Sequence, residues 1–307
     1  MHLHSGPFVS VVDVTLRDGL QDQPQFVATA DKVRIAQLLM GAGYRELEVT
    51  SMMRPDWIAQ TADAEEVLAH LAPAPGVRRH VLVPNRRGLD RALKTNAEVV
   101  TFVISASTLH NQHNLNCTTA ESVGRVRPLV EEAKRAGRDV RGTVSTAFGC
   151  TLQGDISAQE VLAVVDPYVE AGVDQICLAD TVGLARLGRF EAILDVVLAR
   201  VSSDRVALHL HERPGEAITE MVEAGLSGGI RVFDSAIGGL GGCPFAPGAP
   251  GNLKAEWLLP YLHDHGYQTG IDSVALTEIA LALGVALGKG KPIQGHGQSN
   301  VSDGAPA

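Results

Sequence analysis

Two kinds of hydrophobic segment alternate along the chain. Short apolar runs rich in β-branched residues are typical of buried parallel strands, and longer segments with apolar residues three and four positions apart are typical of amphipathic helices. The predicted strands are residues 8–14, 47–51, 79–83, 98–105, 139–145, 175–179, 206–211 and 230–235. The predicted helices are residues 31–42, 57–71, 88–94, 120–136, 158–171, 190–201, 216–224, 255–265 and 274–287. Eight successive strand–helix units predict an α/β fold, a (β/α)8 TIM barrel.

The predicted barrel is one catalytic domain that extends over residues 1–287 and includes an extra C-terminal helix. Residues 288–307 are polar and rich in Gly, Pro and Ser, which predicts a flexible, disordered tail. The polar stretch 108–119 is predicted to be a loop. A doubly wound open sheet is the alternative fold, but no G-x-G-x-x-G motif follows the first strand.

Charged and imidazole side chains occur where predicted strands end. In a (β/α)8 barrel this is the rim that carries the active site. The side chains at these ends are Arg17, Asp18, Glu48, Asp180, His209 and His211. Their shared position indicates one functional site at the barrel mouth.

His209 and His211 are two residues apart on a strand, so their side chains project from the same side. Such a pair alone is also compatible with two histidines satisfied by ordinary hydrogen bonds. Asp18 ends the first strand, close enough around a closed barrel to complete the set. Two imidazoles and one carboxylate with open positions suit a divalent cation that also binds substrate oxygens. Non-haem iron enzymes use the same set, so Fe(II) is an alternative.

Three further charged residues have both a chemical and a structural interpretation. Arg17 is permanently charged and suits an oxyanion, or it forms a salt bridge to Glu48 or Asp180. Glu48 acts on a proton or simply pairs with a cationic side chain. Asp180 precedes Thr181 and could take part in catalysis or cap the turn after the sixth strand.

A glycine-rich segment, residues 238–242, leads into Cys243. It lacks the Lys and Ser/Thr of a nucleotide cradle, so we interpret it as a mobile lid that carries a thiol acid or base over the barrel mouth. The alternative is that Cys243 is inert core filling. Asn252 follows soon after and either gives an amide oxygen to the metal or caps the next helix.

Composition limits the possible functions. The chain has 307 residues, 45% hydrophobic, which is enough for one large core, and its net charge of −9 argues against binding nucleic acid or an anionic membrane. The four cysteines are far apart, which predicts reduced thiols. No secretory leader or membrane-spanning run is visible, and we expect a cytoplasmic protein.

Several motifs together resemble the hydroxymethylglutaryl-CoA lyase family, which is related to isopropylmalate synthase. They are Arg17-Asp18-Gly19-Leu20-Gln21, Glu48-Val49-Thr50-Ser51, Ser105-Ala106-Ser107, Asp180-Thr181-Val182-Gly183, His209-Leu210-His211, Gly239-Leu240-Gly241-Gly242-Cys243-Pro244-Phe245-Ala246-Pro247-Gly248-Ala249 and Gly251-Asn252. The match extends from the first strand to about residue 265 and is most specific in the glycine–cysteine segment.

This resemblance implies a set of residue roles. It implies a divalent metal, which the oxygen-rich donor set indicates is Mg²⁺ or Mn²⁺, and an acyl-CoA thioester as substrate. The implied metal ligands are Asp18, His209, His211 and Asn252. The implied catalytic residues are Arg17 against the thioester enolate and Cys243 as the loop acid or base. For the base that removes the hydroxyl proton we expect a metal-site histidine or a water tied to Glu48 or Asp180. Arg17, Ser51 and Thr181 are expected to contact the substrate.

The implied reaction is the cleavage of 3-hydroxy-3-methylglutaryl-CoA to acetyl-CoA and acetoacetate, a step of leucine degradation. We also expect a homo-oligomer, specifically a dimer.

Three departures from the family pattern leave the acyl group open. Residues 212–215 read Glu-Arg-Pro-Gly where the family commonly has Asp-Thr-x-Gly, residues 22–23 read Asp-Gln instead of Asn-Glu, and Arg54 and Asp56 occupy the loop after the second strand. The alternatives are a lyase for citramalyl-CoA or a longer-branched 3-hydroxyacyl-CoA, or a condensing enzyme of the same group. A metal-binding barrel without turnover is a third alternative.

Overall fold

Eight parallel strands close into a barrel, as predicted. The computed structural model describes residues 6–212, 218–242 and 250–293. The strands are β1 (Ser10–Asp13), β2 (Glu46–Ser51), β3 (Arg78–Leu82), β4 (Val99–Ser105), β5 (Asp139–Ser145), β6 (Gln175–Ala179), β7 (Val206–His209), β8 (His211–Glu212), β9 (Val232–Ser235) and β10 (Gly251–Asn252). The barrel order is β1-β2-β3-β4-β5-β6-β7-β9, with β9 pairing back to β1, and β8 and β10 form a separate antiparallel pair.

Helices surround the barrel and cover its apolar outer face. They are α1 (Thr29–Gly41), α2 (Ala64–His70), α3 (Arg86–Ala92), α4 (Thr108–Leu115), α5 (Thr119–Arg135), α6 (Ala158–Glu170), α7 (Leu187–Leu198), α8 (Ile218–Ser227), α9 (Ala255–Asp264) and α10 (Leu276–Ala286). Their inner faces join the strands in one large hydrophobic cluster. α10 is the predicted extra helix and packs against α1. Within the described ranges, no helix has the length and apolarity needed to cross a bilayer.

The prediction of a loop over residues 108–119 was wrong, because α4 lies there. The Ser107 hydroxyl caps this helix by accepting a hydrogen bond from the His110 N–H at 3.1 Å, and the Asn111 amide donates to the Ser105 carbonyl at 2.8 Å. The helix ends at Asn116 in a left-handed conformation with φ of 48°. The sequence of α4 lacks the apolar stripe from which helices are predicted, and polar contacts hold the helix in place instead.

Two other segments differ from the predicted pattern. The predicted helix 57–71 is interrupted: a 3₁₀ turn, Ala59–Thr61, precedes α2. Ile293 lies in the predicted tail but is buried, and its N–H donates to the Ala280 carbonyl at 3.2 Å. The packed chain therefore continues at least to this residue, while residues 294–307 lie outside the described ranges and their flexibility stays a prediction.

The turn after α1 gives a test of the backbone geometry. Gly43 has φ of 107°, and a Cβ there would lie 2.2 Å from the Gly270 carbonyl oxygen. We expect Gly43→Ala to destabilise the fold by at least about 1–2 kcal/mol, because both the left-handed backbone and the clash oppose it. Gly41 is helical with open space around it, so the control Gly41→Ala should keep or raise stability. Urea denaturation midpoints measure both; equal midpoints would contradict the prediction.

Candidate metal centre and active site

Three buried donor atoms converge at the C-terminal rim of the barrel. Nε2 of His209 lies 3.0 Å from Nε2 of His211, and Asp18 Oδ2 lies 4.0 Å from each of them. The point equidistant from these three atoms is about 2.2 Å from each, close to the ~2.1 Å typical of metal–ligand bonds. The donor set and its spacing therefore fit a divalent cation, and the structure contains a possible metal-binding triad.

Local backbone structure brings these side chains together. His209 is the last residue of β7, and the chain bends after it so that His211 starts β8 opposite Asn252 of β10. Asp18 lies in a π-helical turn, Thr15–Gly19, directly after β1. Leu210, between the two histidines, is buried and belongs to the large hydrophobic cluster.

The protonation states suit metal binding. Burial and the neighbouring His209 lower the pKa of His211 to about 4, so its imidazole is neutral at physiological pH. Burial alone would raise the pKa of Asp18, but Arg17 and the two histidines bring it below its usual value. The site thus offers a neutral His211 imidazole and an ionised Asp18 carboxylate, which are the forms of these groups that ligate metals.

A second layer of charge orients His209. Its Nδ1–H donates to Asp234 Oδ2 at 2.9 Å, and this bond fixes the ring so that Nε2 faces His211 and Asp18. Arg141 Nη2 donates to the other Asp234 oxygen at 2.7 Å. Although burial raises the pKa of Asp234, Arg141 and His209 lower it to about 2. Neither Asp234 nor Arg141 was predicted as a site residue from the sequence, and the available signal was a charged residue inside each of two otherwise apolar strands.

Arg17 and Glu48 form the salt bridge that the sequence offered as one interpretation. Arg17 Nε donates to Glu48 Oε2 at 2.5 Å, and its Nη1 pairs with Asp18. Arg17 still lines the cavity in front of the triad. The two carboxylates therefore fix the guanidinium beside the place where a substrate oxygen would bind.

Asn252 and Gln21 both donate hydrogen bonds to the Asp18 carboxylate. Asn252 Nδ2 donates to Asp18 Oδ2 at 2.7 Å and to the Leu240 carbonyl at 2.8 Å, so the amide nitrogen and not the oxygen faces the carboxylate. The N-cap of α9 is Lys254, so the helix-capping interpretation of Asn252 was wrong. Gln21 Nε2 donates to Asp18 Oδ1 at 2.9 Å and to the Gly242 carbonyl at 3.2 Å.

A cavity of about 240 Å³ opens in front of these residues. Ser51 and Thr181 line it, as do His110 and Asn114 from the unpredicted helix α4. Part of its wall is apolar and consists of Met53, Ile58, Leu82, Val83, Pro84, Val103 and Leu115. The cavity therefore joins a charged centre to an apolar wall, as expected for a site that binds an organic acyl group.

Asp180 is buried next to this cavity, and its carboxylate supports a turn. Its two oxygens accept hydrogen bonds from the N–H groups of Leu184 and Ala185, at 2.8 and 3.1 Å. This is the capping role that the sequence offered as the alternative to catalysis.

Other sequence features lie farther out or outside the described residues. Arg54 and Asp56 form an ion pair with each other, and both side chains are more than half exposed. Cys243 and Arg213 lie outside the described ranges. Gly242, the residue before Cys243, lines the cavity, so the glycine segment reaches the site.

The role of the hydrogen bond between Asp234 and His209 can be tested by mutation. Asp234→Asn removes the charge that fixes the His209 tautomer, so we expect Mn²⁺ affinity to fall about tenfold to hundredfold while the fold is retained. Calorimetric titration with Mn²⁺ measures this. Asp56→Asn, which changes an exposed carboxylate away from the cavity, should leave the affinity unchanged. An unaltered Mn²⁺ affinity in Asp234→Asn would show that Asp234 does not position His209 for metal binding.

Comparisons with known proteins agree with the geometry. A family model described as HMGL-like matches residues 9–282. A hydroxymethylglutaryl-CoA lyase of Bacillus subtilis is 36% identical over 284 residues, which cover 92% of this chain and 95% of the relative. A Pseudomonas aeruginosa protein named 3-hydroxy-3-isohexenylglutaryl-CoA/hydroxy-methylglutaryl-CoA lyase is 36% identical over 281 residues, which cover 92% of this chain and 93% of the relative.

Solved structures show the same relationship. The structure of an HMG-CoA lyase from Acinetobacter baumannii in complex with coenzyme A and 3-methylmalate has a TM-score of 0.88 and 35% sequence identity, over 100% of this chain and 99% of that one. The fold and the family predicted from the motifs are thus both confirmed. The protein belongs to the HMGL-like family, whose members similar to it include hydroxymethylglutaryl-CoA lyases.

Proposed function

We propose that this protein is a metal-dependent carbon–carbon lyase that cleaves 3-hydroxy-3-methylglutaryl-CoA to acetyl-CoA and acetoacetate. The observation that carries the proposal is the convergence of Asp18, His209 and His211 beside Arg17, at one cavity, in a chain of this family. The acyl-CoA part is supported by the similar A. baumannii structure, which is a complex with coenzyme A and 3-methylmalate. A homodimer remains our expectation.

The proposed cation is Mg²⁺ or Mn²⁺, held by Asp18, His209 and His211. Asn252 would add its amide oxygen as a fourth ligand after the amide turns away from its present hydrogen bond to Asp18. When bound, the cation supplies Lewis-acid polarisation to the substrate oxygens and lowers the pKa of the 3-hydroxyl group. Carboxylate and amide oxygens beside only two imidazoles favour these hard cations.

The protein's own side chains then transfer protons and stabilise the negative charge that develops on the substrate. The 3-hydroxyl proton passes to a water held by Glu48, since both triad imidazoles would be engaged as metal ligands, and the bond between C2 and C3 breaks to leave acetoacetate and a thioester enolate. Arg17, fixed by Glu48, meets the enolate charge. Cys243 protonates the enolate carbon to give acetyl-CoA, so one proton leaves the substrate, one returns, and no redox change occurs.

A second candidate substrate carries a longer branch at C3. The apolar side of the cavity, which includes Met53, Ile58 and Leu115, offers surface for such a group. The similar P. aeruginosa protein is named for a substrate with an isohexenyl branch as well as for the methyl one. Citramalyl-CoA and the condensing direction are the remaining alternatives.

Product analysis tests the proposal. The Mg²⁺-loaded protein is incubated with 3-hydroxy-3-methylglutaryl-CoA, citramalyl-CoA or a longer-branched 3-hydroxyacyl-CoA, and acetyl-CoA and the keto acid are quantified. Equal amounts of acetyl-CoA and acetoacetate from the first thioester, abolished by a chelator and restored by Mg²⁺, support the proposal. Preferential cleavage of another thioester would reassign the substrate, and turnover that survives exhaustive chelation would contradict the metal role.

Arg17→Lys should separate charge stabilisation from binding. Lysine keeps the charge but cannot donate to Glu48 and to the substrate from one planar group. Because the enolate exists only late in the reaction, we expect kcat to fall far more than KM rises. Arg54→Lys, which changes an exposed arginine, is the control. Normal kcat with raised KM would assign Arg17 to ground-state binding instead.

Cys243→Ala tests the proposed general acid. Such a group contributes about 10²–10⁴-fold, so turnover should fall by that factor while Mn²⁺ affinity and melting temperature stay near the parent values. Cys117→Ala is the matched control, because that thiol is buried beside the Ser122 hydroxyl, 3.1 Å away. Turnover within about threefold of the parent, far below the general-acid range, would exclude Cys243 from catalysis.

A further inference from the structure

A lysine is buried close to the rim of the barrel. Lys32, on α1, is 2% exposed, and its ammonium group donates to the Gln60 carbonyl and to Asp63 Oδ1, both at 2.7 Å. The ammonium also lies over the ring of Phe26, 4.2 Å from the ring centre. Removing an ammonium group from water is costly unless its charge is paired, so lysines are rarely this buried. These contacts offset that cost and hold the Lys32 side chain in one place.

The glutamine that accepts from this lysine also holds a second segment of the rim. The Gln60 side chain is buried; its Nε2 donates to the Gln23 and Gln25 carbonyls, at 3.0 and 2.6 Å. Its Oε1 accepts a hydrogen bond from the Val27 N–H at 3.1 Å. One side chain thus fixes three backbone groups of residues 23–27, which follow the π-helical turn after β1.

The residues on either side of this glutamine form part of the cavity wall. Ile58 and Thr61 line the cavity, as does Met53 earlier in the same loop. The 3₁₀ turn Ala59–Thr61 joins the two flanking residues, and the Thr61 hydroxyl donates to the Ile58 carbonyl at 2.8 Å. The position of the Gln60 backbone therefore determines where this wall stands.

Asp63 connects the same loop to α1 a second time. Its Oδ2 accepts from the Thr29 hydroxyl at 2.8 Å, while its Oδ1 accepts from Lys32. Thr29 and Lys32 both belong to α1, and none of the three is among the described residues that line the cavity. Buried hydrogen bonds to charged groups are the strong ones. A helix that does not line the cavity thus holds one of its walls.

We propose that Lys32, Gln60 and Asp63 are positioning residues that fix the apolar wall of the cavity for the acyl group. The inference rests on the proposed function and adds residues that act through Ile58 and its neighbours. A wall that is fixed before the substrate arrives needs no further ordering on binding, which raises affinity. Loosening it should weaken acyl binding and leave the metal triad, which other residues hold, unchanged.

Removal of both charges separates positioning from stability. Lys32→Met leaves the Asp63 carboxylate buried without its cation and should lower the melting temperature. The double variant Lys32→Met/Asp63→Asn removes both charges and should recover most of that loss, while the Gln60 carbonyl still lacks its ammonium donor. Lys134→Met, which breaks a partly exposed pair with Asp174, is the control.

A thioester without a 3-hydroxyl group, 3-methylglutaryl-CoA, measures acyl binding without cleavage. Titration calorimetry of the Mg²⁺-loaded double variant should give an affinity about tenfold below that of the parent, with Mn²⁺ affinity unchanged. In turnover of 3-hydroxy-3-methylglutaryl-CoA, KM should rise more than kcat falls. Gln60→Met, which frees residues 23–27 without removing a charge, should weaken binding in the same way, and Lys134→Met should bind like the parent.

Parent-like affinity for 3-methylglutaryl-CoA in the folded double variant would overturn the positioning role, because a merely structural pair affects only stability. If the double variant does not fold, Gln60→Met decides by the same measurement. Failure of the parent to cleave any hydroxyacyl-CoA, while parent and variants still differ in binding, would instead contradict the proposed function alone. No binding of 3-methylglutaryl-CoA by the parent would contradict both.

Discussion

Two imidazole nitrogens and a carboxylate oxygen lie close together in a buried pocket. Nε2 of His209 and Nε2 of His211 are only 3.0 Å apart, and Asp18 Oδ2 is 4.0 Å from both. Electron-rich atoms at such distances repel unless a proton or a cation lies between them. Hydrogen bonds from the surrounding polar side chains hold the three atoms in this arrangement. Because the atoms repel one another, the site fits a divalent cation.

The barrel is what makes this arrangement possible. In a closed barrel of parallel strands, all C-terminal strand ends lie at one rim. Asp18 and the two histidines, about 190 positions apart in the chain, therefore meet there. Asp234 then connects two parts of the cavity, because one of its oxygens holds His209 and the other holds Arg141. The orientation of the His209 imidazole and the position of the Arg141 guanidinium therefore depend on the same carboxylate.

Sequence reasoning reached the fold and the triad because both follow from short-range periodicity. Strand alternation placed His209 and His211 on one side, and the strand ends placed Asp18 nearby. It missed α4 because polar caps rather than an apolar stripe hold that helix. It missed Arg141 and Asp234 because they meet across the barrel, and only their polar character inside buried strands could have indicated them. The hydrogen bonds by which Asp180 supports a turn likewise became visible only in the tertiary structure, and its catalytic role stays a prediction.

Anomalous diffraction from a crystal grown with Mn²⁺ would test the central claim most directly, since it locates the ion without relying on turnover. The account predicts one strong peak between Asp18 Oδ2 and the Nε2 atoms of His209 and His211, about 2.0–2.3 Å from each, as expected for metal–ligand bonds. A peak elsewhere in the barrel, or no peak at saturating Mn²⁺ with the two imidazoles still in contact, would contradict it.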